Sequence, residues 1–129
     1  MNQSTQNTNR GITGFRLASD IHDTTIYNRN DEEIGTINDL IVDGENGRIR
    51  FAVVGIGGFL GMGETNVMVP WNALQRRANR EEAEMHYTLD VTREQLEKAP
   101  RFDRDRLNEF YSRGMSEPVY KHYRVTYIA

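Results

Sequence analysis

The sequence predicts a mainly β protein: a small antiparallel β-barrel followed by two short helices and an apolar tail. Three observations carry the prediction. Runs of β-branched and aromatic residues are separated by tight-turn signals rather than by long helical patterns. The sharpest helix-start signal, Thr92-Arg93-Glu94-Gln95, comes after those runs. At 129 residues, with 37% hydrophobic and 27% charged, the chain is sized for one domain with a core of its own.

The elements follow in order. Residues 1–14 are rich in Asn, Gln, Ser and Thr and hold too little apolar surface to offset the entropy of ordering, so a disordered segment is expected there. The barrel is expected over 15–91. Ile34 to Val42 reads as a strand whose alternation slips near Gly35, where a β-bulge fits. Asp43-Gly44-Glu45-Asn46-Gly47 is a turn, and Arg48 to Ile56 is the returning strand, its second half apolar on both faces. Val67-Met68-Val69-Pro70 is a further strand, with Pro70 opening a helical turn at Trp71 to Leu74. Trp71 itself reads as a core plug. Met85, Tyr87, Leu89 and Val91 alternate with polar residues. The remainder, 92–129, is expected as a helical extension and tail. Its capping box starts one helix, ending before Pro100. A second helix is expected from Asp103 to Arg113, with Gly114 as its stop. Val125 and Tyr127 fit an edge strand.

Charge and motifs exclude several classes of function. A net charge of -3 argues against a general grip on nucleic acid, which calls for a basic surface. With no cysteine, disulfides, thiolate catalysis and cysteine-rich zinc sites are ruled out. The histidines, His22, His86 and His122, lie far apart, and no metal or cofactor is expected. Gly55-Ile56-Gly57-Gly58-Phe59-Leu60-Gly61 has Leu60 where the dinucleotide pattern needs glycine, and a strand follows instead of a helix. Asp39, Asp43 and Glu64 read as turn-makers and solvated surface rather than an acid–base pair. No nucleophile motif occurs, so no enzymatic activity is expected. No stretch resembles a signal peptide or a membrane span, which makes a cytoplasmic location the default.

The stretch from Ser19-Asp20-Ile21 to Val91 resembles the PRC-barrel family. The resemblance runs through Glu33-Ile34-Gly35-Thr36-Ile37-Asn38-Asp39-Leu40-Ile41-Val42-Asp43, then Gly47 to Val54, and is most specific from Gly57 to Leu74, ending in Val67-Met68-Val69-Pro70-Trp71-Asn72-Ala73-Leu74. Pro118-Val119-Tyr120-Lys121-His122-Tyr123 is similar to the tails of stand-alone bacterial members. The resemblance implies an assembly role. The family's barrel occurs in the cytoplasmic part of the photosynthetic reaction-centre H subunit and in a ribosome-maturation factor, and in both it contacts other macromolecules. It brings no catalytic residue set. This sequence shows neither the membrane helix of the first nor the second domain of the other, so neither specific role is expected to transfer.

The sequence therefore points to a non-enzymatic protein-interaction or assembly module. Phe59, Leu60 and Met62 in the glycine-rich loop, and Tyr120, Tyr123 and Tyr127 in the tail, are the candidate interface, since tyrosine suits a surface buried at one end and wet at the other. A homodimer built on these residues is expected, with any other protein partner open; the alternative is a monomer whose tail folds back over its own barrel. The alternative is a small-ligand- or RNA-contacting regulator using the barrel mouth and the basic run Arg76, Arg77 and Arg80. Glu81, Glu82 and Glu84 follow directly and neutralise that run.

Overall fold

The structure, a computed structural model, describes residues 14–57, 64–78 and 85–128. Its centre is a six-stranded, mostly antiparallel sheet. The strands are β1 (Thr25–Tyr27), β2 (Glu33–Val42), β3 (Ile49–Ile56), β4 (Thr65–Pro70), β5 (Gln75–Ala78) and β6 (Met85–Thr88), in the order β4-β3-β2-β1-β6-β5. A short α1 (Ala18–Ile21) precedes them. α2 (Arg93–Glu97), a 3-10 segment (Arg104–Tyr111) and α3 (Arg113–His122) follow.

The β2–β3 hairpin forms as its turn residues dictate. Asp43 N–H donates to the Arg48 carbonyl at 2.8 Å, Gly47 N–H donates to the Asp43 carbonyl at 2.8 Å, and Gly47 takes φ +76, a left-handed value that glycine adopts without strain. The register slips beside Gly35, where Ile26 faces Gly35 and Tyr27 faces Glu33, leaving Ile34 as the extra residue. A second slip isolates Asn38, whose Nδ2 donates to Glu64 Oε1 and Asn66 Oδ1. β3 is buried on both faces from Arg50 onward.

One strand pair departs from the antiparallel expectation. β1 and β6 run parallel, Ile26 facing Tyr87 and Tyr27 facing Thr88. The cause lies at Pro70. Trp71–Ala73 is a single 3-10 turn that bends the chain without reversing it, so β4 and β5 run in one sense as two halves of a bent strand. Five neighbour steps separate these two halves, and a return to the same sense takes an even number of reversals, so at least one neighbour pair must be parallel. The two halves of that bent strand are also the two ends of the sheet.

The core gathers Ile26, Ile37, Phe51, Val54, Met68 and Tyr87. α2 starts at the capping box: Gln95 N–H donates to Thr92 Oγ1 at 3.0 Å and Thr92 N–H to Gln95 Oε1 at 2.8 Å. It delivers Leu96 into the core with no exposure. Beyond it, Pro100 and Phe102 pair along the outer side of β4 through Met68 N–H to Pro100 O and Phe102 N–H to Asn66 O, which covers that edge.

The C-terminal third corrects three expectations. The helix expected from Asp103 to Arg113 is a 3-10 segment ending at Tyr111. Gly114 does not stop a helix but lies in the first turn of α3, because Ser112 caps a new start, its Oγ accepting from Met115 N–H at 3.3 Å. The tail is no edge strand: its first half is helical, with Pro118 inside α3, and 125–128 belong to no element. Ser116, Val119, Tyr120 and Tyr123 follow the helical i, i+3, i+4, i+7 spacing, and it is this face that is buried.

Candidate functional site

An apolar groove of about 400 Å³ lies between the β2–β3 hairpin and the 3-10 segment. The hairpin supplies Ile41, Val42 and Phe51, and the 3-10 segment supplies Leu107, Phe110 and Tyr111. The two walls are held by their own chemistry. The Tyr111 hydroxyl donates to the Glu45 carboxylate in the hairpin turn and lies 3.4 Å from Asp43 Oδ1. The hydrogen bond to Glu45, helped by burial, pushes the Tyr111 phenol up to about 12. Val42 and Tyr111 are both 53% exposed, unusual for large apolar groups.

Under the groove lies a buried ion pair. Arg50 Nη1 donates to Asp43 Oδ2 at 3.2 Å, with the two side chains 9% and 4% exposed. Asp43 also anchors the turn, its Oδ1 accepting from Glu45 N–H at 2.8 Å. That backbone bond, joined by those from Asn46, Arg50 and Tyr111, outweighs burial and holds the carboxyl below its ordinary value. Burial works against the Arg50 charge. The neighbouring Tyr120 and Tyr127 hydroxyls and Asp43 outweigh it and raise its pKa. Arg50 Nε and Nη2 are buried and, among the described residues, have no hydrogen-bond partner. The Tyr127 ring, 6.0 Å from the guanidinium, faces the cation instead, and Arg113 lies over the same ring at 4.7 Å.

The sequence-derived candidates fall in different places. Tyr120 and Tyr123 are buried by their own chain, and Tyr127 is half-buried against the core. The Tyr120 ring lies 5.5 Å from Phe51 and 5.3 Å from Tyr127. Much of the apolar surface that suggested an interface is thus consumed within the chain. Phe59, Leu60, Met62 and Arg80 lie outside the described residues. Arg76 and Arg77 are exposed on β5, in a strand rather than a loop. Neighbouring strand residues face opposite sides, so these two arginines do not converge on one anion. Arg77 lines a small polar cleft with Asn28, Arg29 and Asp90, already spanned by the Arg29–Asp90 pair at 3.2 Å. Trp71 is half-buried, its ring 5.5 Å from Tyr87. Among the described residues, no group of His, Asp and Glu is placed to hold a metal ion, and no helix is long and apolar enough to cross a membrane.

Asp43 and Arg50 went unrecognised as a buried pair, since Asp43 reads as a solvated turn-maker. The signal was present: an arginine between Ile49 and Phe51, in a strand buried on both faces, needs a carboxylate close by, and the hairpin turn holds one. The groove had no such signal, because its second wall depends on where the 3-10 segment docks.

These residues sit on a fold whose family can be stated. A family model of the PRC-barrel domain matches residues 14–96, well over half the chain, and the chain belongs to the PRC-barrel family. At that level it is a protein-interaction domain, of a family that is generally non-catalytic. A search of curated proteins found no match.

Proposed function

We propose that this chain is a non-enzymatic assembly module, its sheet rolled into the family's barrel, that docks a protein partner in the groove between the β2–β3 hairpin and the 3-10 segment. The observation that carries the reading is the pair Val42 and Tyr111, large apolar groups left half in water on facing walls of an apolar groove. Patches of this kind mark contact surfaces, and a groove walled by aliphatic and aromatic side chains suits an apolar anchor from a partner. The rigidity of the walls supports it further: the Tyr111–Glu45 bond and the Asp43–Arg50 pair fix both sides before anything binds, which lowers the ordering cost of association.

The test is quantitative affinity capture from native extract with the full chain and with Val42→Lys. Val42 is exposed, so the variant folds, and it places a charge in the groove. A specific protein should be retained by the wild type and reduced about tenfold or more by the variant, the loss of one interface anchor. An identical set of retained proteins would overturn the reading.

A further inference from the structure

We infer that the chain binds a small organic acid, one carboxylate on an apolar body, in a second cavity between β3, the Trp71 turn and the end of the tail, with Arg50 taking the carboxylate. The cavity measures about 440 Å³, within the range of about 300–1,000 Å³ usual for small-molecule sites. Ile49, Trp71, Tyr120 and Ile128 give it apolar walls. Among the described residues that line it, Arg48 and Arg50 are the charged ones and none is acidic. The docking groove is different in this respect, since Asp43 and Glu45 line it beside Arg50.

Arg50 carries the inference. Its side chain is 9% exposed, and Asp43 engages Nη1 alone. The Tyr120 and Tyr127 hydroxyls stand near the guanidinium but close no hydrogen bond with Nε or Nη2. A buried donor without an acceptor is costly, so these two nitrogens call for one. They are also a specific pair: Nε and Nη2 share one edge of the planar guanidinium, and their parallel N–H bonds match the two oxygens of a carboxylate. Charge sets the valence of the ligand. Arg48 and Arg50 bring two positive charges against the one negative charge of Asp43, so a monoanion neutralises the cluster and a dianion would exceed it. Both donors are out of contact with solvent, so the carboxylate reaches them by displacing a neighbour. The Tyr127 ring, 6.0 Å from the guanidinium, is placed for that, since it belongs to the stretch 125–128 that forms no element. Asn72, which lines the cavity, ties that stretch down through Nδ2 to the Thr126 carbonyl at 3.1 Å.

Trp71, the chain's single tryptophan, lines the cavity and reports on its contents. Titration of the full chain with phenylacetate and with hexanoate should give a saturable change in tryptophan fluorescence for at least one of them, half-complete at about 1 mM or below. Phenylacetamide and hexanamide, of the same size but uncharged, should bind at least about tenfold more weakly. Arg48→Gln, a change at an exposed residue, should weaken the acid about threefold, and Arg50→Lys, which keeps the charge but loses the fork, about tenfold or more. In the wild type the Arg50 Nε–H resonance should move as the acid saturates and stay in place with the amide, so the site is tested even where Arg50→Lys fails to fold. No saturable response to either acid overturns the site. So do equal binding of acid and amide, a folded Arg50→Lys protein that binds like the wild type, or an Arg50 Nε–H signal unmoved at saturation.

Discussion

Replacing Tyr120 with alanine removes a side chain that is 2% exposed and packed between two other rings, Phe51 tilted at 5.5 Å and Tyr127 edge-on at 5.3 Å. Truncating a buried aromatic to alanine costs about 3–5 kcal/mol, the lost burial and the cavity together. Against a whole-domain stability of about 5–15 kcal/mol that is a large fraction. For a chain of this length it corresponds to a fall in melting temperature of about 10–20 °C. Tyr120→Phe keeps the ring and should stay within about 1 kcal/mol of the wild type. Differential scanning calorimetry of the three proteins reads both numbers. A Tyr120→Ala melting point within about 3 °C of the wild type, as for a surface residue, would refute the packing of α3 onto its own sheet.

Three further outcomes follow from the same geometry. The Asp43 carboxyl is held below its ordinary value of 3.8, so its stabilising contribution is complete above that value and is lost as pH falls through the lower folded-state value; urea midpoints measured from about pH 5 to about pH 2 should fall more steeply in the wild type than in Asp43→Asn. Gly35→Ala should cost about 1–3 kcal/mol, because its Cβ would lie 2.7 Å from Val54 Cγ1 and 3.0 Å from the Gly55 carbonyl oxygen, whereas Gly44→Ala, with nothing within 4 Å, should stay within about 0.5 kcal/mol by urea unfolding. The Tyr123 hydroxyl is buried with no hydrogen-bond partner among the described residues, so Tyr123→Phe should be neutral or stabilising by up to about 1 kcal/mol, and a loss of more than about 1 kcal/mol in the same assay would contradict that burial.

Much of the sheet was legible because its signals are local. The Asp43–Gly47 turn fixes the hairpin, the Thr92–Gln95 box fixes the start of α2, and the slip beside Gly35 fixes the bulge. The parallel β1–β6 pair was not legible, since it depends on whether the turn at Trp71 bends or reverses the chain, which local propensity does not decide. The C-terminal third was misread for a different reason. Pro118 and Gly114 are punctuation in most contexts, yet the Ser112 cap and the apolar spacing of Ser116, Val119, Tyr120 and Tyr123 outweigh them. The groove was the least legible feature, because Val42 and Tyr111 lie 69 positions apart in sequence and only docking of the 3-10 segment brings their surfaces together.

The docking claim is tested most directly by site-specific photo-crosslinking inside the native cell. A photoreactive phenylalanine analogue is placed at Val42 in the groove and, as the control, at Glu97 on the exposed side of α2. The account predicts a discrete crosslinked protein, a second copy or another chain, from position 42 and none from position 97. No protein crosslink from position 42, or the same products from both positions, would contradict it.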